Sequence, residues 1–175
     1  TQRVALLNWT PKTKIIVEKL CSYLPKHSEI NVYISSLSND MKTTKKILAD
    51  RYPNIKITIQ NIDFNELRDL EKIDPQNFDS ILILSPGGAT IEEMDAYVIS
   101  LLIRIRQILL AKADIKSKNY KWPKLITEVM DSENIDIILN SGVEDFMVSN
   151  QFVSQIMAQV SEEPLALDVY DDLFH

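Results

Sequence analysis

The sequence predicts an α/β protein: a Rossmann-like, doubly wound parallel sheet of about six strands with helices on both faces, followed by a C-terminal exit helix. Three observations predict it. Apolar runs of strand length alternate with helical patterns from end to end. Several of the runs are continuously apolar, as strands are when helices cover both faces of a parallel sheet. Helix caps and turn residues stand at many of the boundaries between them.

The first predicted strand is Val4 to Leu7, and a helix near Thr13 to Leu24 follows it. The second unit pairs a strand at Ile30 to Ile34 with a helix at Met41 to Tyr52, punctuated by Asn39-Asp40 and Pro53-Asn54. A strand at Ile55 to Ile59 and a helix at Asn65 to Ile73 make the third unit, closed by Asp74-Pro75. The fourth strand, Ile81 to Leu84, leads into a long helix over Thr90 to Ala113. That helix opens on Thr90-Ile91-Glu92-Glu93, a capping box in which Thr90 accepts from the backbone while Glu93 reaches back. The fifth unit is Leu125 to Val129 with a helix at Glu133 to Asn140, and Ser141-Gly142 ends it, glycine supplying a left-handed backbone. Phe146 to Val148 and a helix at Asn150 to Glu162 complete the lobe, and Pro164 stops the last helix. Residues 1–162 are therefore expected to form one lobe, and 163–175 the start of a crossover or linker helix.

Composition narrows the function. With 175 residues and 45% hydrophobic content, one sizeable core can be buried. Nineteen basic against 25 acidic residues give a formal net charge of -6 with no basic block, which argues against nucleic acid as a partner. The single cysteine, Cys21, excludes an internal disulfide framework and fits a buried apolar role in a reducing compartment. The longest apolar stretch, Ala96 to Ile103, has about eight residues, far short of the roughly twenty that a spanning helix needs. The chain begins at Thr1 and enters a strand almost at once, so a piece of a longer protein is expected.

A dinucleotide-binding unit needs glycines after its first strand, so that backbone can approach the pyrophosphate at a helix N-terminus. Here that turn is Asn8-Trp9-Thr10-Pro11-Lys12-Thr13, with no glycine. The carboxylate expected at the end of the second strand is also missing, the sequence there being Tyr33-Ile34-Ser35-Ser36. Classical NAD binding is thus disfavoured, although Asn8, Trp9, Thr10 and Ser35 still stand where such folds place ligands. Lys12 and Lys14 are either phosphate contacts or solvated lysines, and Trp9 either stacks on a base or packs on the core. A second glycine turn, Ser85-Pro86-Gly87-Gly88-Ala89, makes Ser85, Gly87 and Gly88 candidates for an anion nest, the alternative being a plain turn before a capped helix. His27 lies in the Pro25-Lys26-His27-Ser28 turn and His175 is terminal, so no histidine base with an orienting carboxylate is in view. No catalytic residue is assigned. Glu128 and Asp131 are the acidic groups placed to take a hard cation such as calcium, against the default of surface carboxylates. Calcium or a nucleotide stays as the candidate ligand.

Two stretches are too apolar for one sheet face. The helix over Thr90 to Ala113 carries apolar residues all round, so Leu101 and Ile105 are expected to meet another subunit as well as the sheet, or else to be ordinary core. The helix after Asn150 places Phe152, Ile156 and Val160 on one stripe with Val153 and Met157 beside it, and Leu173 and Phe174 belong to a further apolar set beyond Pro164. Such a tail needs something to lie against.

The same residues carry a family likeness. Trp9, Leu20, Tyr23 and Ser28-Glu29, then Phe78-Asp79, Leu84-Ser85, Asp95-Ala96 and Leu101-Leu102, then Glu128, Asp131 and Asn134, and a closing block from Asp145-Phe146 through Ser149-Asn150, Val153-Ser154, Ala158-Gln159 and Ser161-Glu162 to Leu173-Phe174 form the pattern. With it the chain resembles the regulator-of-potassium-conductance (RCK, TrkA-N-like) domain of Castor and Pollux type ion channels and their bacterial relatives. The family commonly has glycine immediately before the tryptophan, where this chain has Asn8. The resemblance implies a cytosolic, ligand-sensing gating-ring lobe without enzyme activity, joined to a membrane pore and self-associating through RCK contacts. Two alternatives remain beside it: an NAD(P)-dependent oxidoreductase domain, which the fold allows, and a degenerate Rossmann scaffold that only oligomerises.

Overall fold

A computed structural model describes residues 1–87, 90–112, 120–134, 136 and 147–148. Five strands, β1 (Arg3–Leu7), β2 (Glu29–Ile34), β3 (Lys56–Asn61), β4 (Ser80–Ile83) and β5 (Lys124–Val129), form the body of a sheet in the order β3-β2-β1-β4-β5. Every pairing is parallel, with Val4 facing Ile30 on one side and Ser80 on the other. The helices are α1 (Pro11–Tyr23), α2 (Asn39–Arg51), α3 (Leu67–Lys72) and α4 (Ile91–Lys112). A two-residue strand, β6 (Met147–Val148), pairs parallel with Glu128 and Val129.

The continuous apolar runs are explained by two cores. Alternate side chains of each strand point to opposite faces. Val4, Leu6, Ile30, Val32 and Leu82 pack with Ile16, Leu20 and Leu48 of α1 and α2 on one face. Ala5, Leu7, Ile81 and Ile83 pack with Leu70 of α3 and with Val98, Leu102 and Ile105 of α4 on the other. β3 lies at the sheet edge, and there the pattern loosens to exposed Lys56, Gln60 and Asn61. Cys21 is inside the first core, where burial, assisted by the charge of Glu18, pushes its thiol up to about 11 and keeps it an unreactive neutral group.

Local chemistry moves several predicted boundaries. Proline at the first helical position starts α1 at Pro11. Ser38 accepts the Met41 N–H at 3.4 Å and starts α2 at Asn39. Thr90 does cap α4, its hydroxyl accepting the Glu93 N–H at 3.2 Å. The third helix is shorter than expected because Asp63 accepts the Asn65 N–H at 2.9 Å, which holds the chain in a turn ahead of Leu67. A 3-10 turn at Pro75–Asn77 has no counterpart among the predicted elements, and another, Ser132–Asn134, stands where the fifth helix was expected to begin. Most of the rest of that helix, Phe146, the helix at 150–162 and the tail at 163–175 lie outside the described residues. Among the described residues, no helix is long and apolar enough to cross a membrane.

Candidate ligand-binding site

Strand order reverses at β1, whose neighbours β2 and β4 continue in opposite directions, so a crevice opens at the carboxyl ends of β1 and β4. Asn8 occupies its floor. Its backbone is left-handed, with φ of 84°, the conformation for which a glycine is the usual choice. Asparagine tolerates that region, and here its side chain is also used. The amide nitrogen donates to the Leu84 carbonyl at 2.8 Å, and the amide oxygen accepts the Tyr97 hydroxyl at 3.2 Å. Burial raises the Tyr97 phenol above its ordinary value, which keeps it protonated as that donor. The Asn8 carbonyl in turn accepts from the Thr13 hydroxyl at 3.0 Å, and that hydroxyl accepts the Thr10 N–H at 2.8 Å. The missing glycine is thus replaced by a residue that adopts the same backbone while tying β1 to β4 and α4.

This arrangement predicts an order of stabilities. Asn8→Gly keeps the backbone but loses two side-chain hydrogen bonds, one of them buried, and is expected to cost about 1–2 kcal/mol. Asn8→Ala loses the same bonds and, unlike glycine, keeps a Cβ in the left-handed region without asparagine's tolerance for it, so it is expected to be roughly 1 kcal/mol less stable than Asn8→Gly. Urea unfolding of the two variants measures the difference; an alanine variant as stable as the glycine one would refute the strained-turn account.

Beside Asn8 lies a cavity of about 310 Å³ whose wall includes Thr10 and Lys12 of the α1 start, Ser85 and Gly87 after β4, Met94 of α4, and Glu128 of β5. Glu128 is only 2% exposed. One of its carboxylate oxygens accepts the Ser85 N–H at 3.0 Å and the other pairs with the Lys12 ammonium at 2.8 Å. The Ser85 hydroxyl is buried and has no hydrogen-bond partner among the described residues. Gly87 has φ of 74° and open space where a Cβ would stand.

The predicted site residues divide between two cavities. Thr10, Ser85 and Gly87 line the first, while Asn8, Trp9 and Ser35 line a smaller one of about 190 Å³ with Met41 and Pro86. Trp9 also packs against the first core. Lys12 is engaged by Glu128 and so is not a free phosphate contact, and Lys14 lies 3.9 Å from Asp40 at the surface. Glu128 and Asp131 do not converge on a cation site: Asp131 accepts the Glu133 N–H at 2.9 Å, and no group of three or more metal-ligating side chains occurs among the described residues. Leu101 and Ile105, expected to face another subunit, are 2% and 0% exposed in the second core, so their surface is already covered within this chain. Gly88, Phe152, Val153, Ile156, Met157, Val160, Leu173 and Phe174 lie outside the described residues.

Sequence reasoning missed Asp95 as a structural carboxylate. It is 1% exposed on α4 and accepts from Met130 N–H at 2.7 Å, Asp131 N–H at 2.9 Å and the Asn134 side-chain amide at 2.7 Å. The signal was available: an acid within the buried stripe of Met94, Val98 and Leu102 has to be bonded to something.

No family model matches the chain. Curated relatives do. The ion channel DMI1 of Medicago truncatula is 27% identical, with 69% of this chain and 16% of the channel covered. A probable ion channel POLLUX of Arabidopsis thaliana is 25% identical over 99% of the chain, and the ion channel CASTOR of Lotus japonicus is 24% identical over 99%. The chain is a homologue of Castor/Pollux-type ion channels. The family resemblance drawn from the sequence therefore stands at the level of these channels. The chain spans between 16% and 24% of the length of these Castor/Pollux relatives. Among solved structures, a short-chain dehydrogenase from Oenococcus oeni psu-1 superposes with a TM-score of 0.48 at 10% identity, covering 93% of this chain and 73% of that one.

Proposed function

We propose that the chain is the ligand-sensing regulatory lobe, of RCK type, of a cation channel, acting by self-association and conformational coupling to a membrane pore rather than by turnover. The observation that carries this is its homology to Castor/Pollux ion channels, which in two of the relatives extends over 99% of the chain. The site supports a binding role. A cavity of ligand size stands at the point where the strand order reverses, walled by the ion pair between half-exposed Lys12 and buried Glu128. A ligand that prefers one arrangement of paired lobes shifts their equilibrium by its differential affinity, and contacts between lobes carry the shift to the gate. Residues 1–162 then correspond to the lobe and 163–175 to the crossover toward its partner. In this reading the parent protein carries the pore, and the lobe lies on the cytosolic side of the membrane.

Assembly is the test. Light scattering is expected to give a mass that is a multiple of 20.1 kDa. A monomer at every concentration would refute the gating-ring reading, and oxidation of NADH with a small carbonyl substrate would replace it with an oxidoreductase.

A further inference from the structure

The walls of the mouth cavity specify the charge of what enters it. We propose that the cavity takes a small ligand bearing a protonated amine on a short apolar body, which displaces Lys12 from Glu128 and pairs with that carboxylate in its place. This rests on the regulatory reading above and names the ligand class of the same site.

Charge conservation selects the ligand. Glu128 is 2% exposed, and a buried charge left without a partner is costly. Its present partner is replaceable: the Lys12 side chain is 42% exposed and can turn out to water on its flexible stem. An incoming ammonium exchanges with the Lys12 ammonium, so Glu128 is never left alone. An incoming phosphate does the opposite. It would either meet the fixed charge of Glu128 or draw Lys12 away and leave that charge buried and unpaired. Lys12, in the first turn of α1 where a nucleotide site faces the pyrophosphate, is here already paired with Glu128. Two further features fit an amine with a short body. The Ser85 hydroxyl lines the cavity, and its residue is 5% exposed, yet it has no partner among the described residues. An amine N–H or an added hydroxyl can satisfy it. Met94 and Met130 supply adaptable apolar wall for the body.

The test is an NMR titration of the full chain with n-butylammonium chloride at constant ionic strength, following the Ser85 amide, which donates to Glu128. Butylammonium is expected to shift that amide, whereas n-butanol and inorganic pyrophosphate leave it in place. Glu128→Gln is expected to weaken butylammonium by about tenfold or more, the scale of a charge-assisted hydrogen bond. Lys12→Met removes the internal competitor and is expected to tighten binding by a similar factor. Lys12→Arg, which keeps the pair and the fold, is expected to weaken it. Equal affinity in wild type and Glu128→Gln, no shift at Ser85, or pyrophosphate binding that is lost in Lys12→Met overturns the proposal. Each of these outcomes is separate from the mass measurement: an assembled protein that ignores amines refutes this inference alone, and a monomer that binds them refutes the gating-ring reading alone.

Discussion

Replacing Asp95 with alanine is expected to lower the unfolding free energy by about 3–5 kcal/mol, since hydrogen bonds to a charged group contribute roughly 1.5–3 kcal/mol each and this buried side chain accepts three part-buried ones. Met130 and Asp131 donate their backbone N–H groups to it and Asn134 its side-chain amide. A loss of that size is a large part of the 5–15 kcal/mol that typically separates a folded domain from its unfolded chain. The consequence reaches the cavity. The three donors hold the turn that follows β5, and Met130 lines the cavity opposite Lys12. Urea unfolding with an unchanged slope would show that stability alone has moved. Asp95→Asn retains one carbonyl acceptor but points an N–H₂ at donors, so it is expected to recover less than half of the loss. An alanine variant within 1 kcal/mol of wild type would refute the role assigned to Asp95.

Ile105→Ala is expected to cost about 3 kcal/mol, within the range for emptying a fully buried isoleucine position, and to leave the assembly unchanged. Ile105 is 0% exposed and packs in the core between α4 and the sheet. The same substitution at a subunit contact would lower the mass seen by light scattering at a given concentration. A variant that dissociates without losing stability would restore the interface role that the apolar content of α4 first suggested.

That helix shows where the sequence misleads and why. Its apolar residues face several directions, and periodicity alone does not say how much a neighbouring sheet will cover. α4 lies over β4 and β5 with Trp122 and Tyr97 packed against the same core, so Val98, Ile99, Leu101, Leu102, Ile105, Ile108 and Leu109 all become buried in one chain. The parallel sheet, by contrast, was legible from Val4 to Leu7 and Ile81 to Leu84, because runs with no polar alternation have few other uses. The site was legible in part. Ser85, Thr10 and Gly87 were placed at the mouth by the rule that ligands gather at the carboxyl ends of strands, and they do line one cavity. What could not be read was pairing. Lys12 and Glu128 are separated by 116 positions, and their salt bridge exists only because α1 begins at the end of the sheet where β5 finishes. Asn8 carried its own signal, a left-handed position filled by the residue that best tolerates it after glycine, but its side-chain bonds to Leu84 and Tyr97 depend on distant segments.

The central position of β1 also sets how this chain reaches its fold. β1 is made before the other described strands, yet one edge of it pairs with β2 from Glu29 onward and the other waits for β4, whose Ser80 faces Val4. On a ribosome, an N-terminal segment that ends before Ser80 therefore carries an apolar strand with an unpaired edge. Loop closure over that separation comes before its contacts are rewarded, which makes folding slow and the half-made chain open to mispairing. The strand that later roots the ligand mouth is thus left half-paired until β4 is made, and chaperone demand during synthesis follows from the order of the sheet.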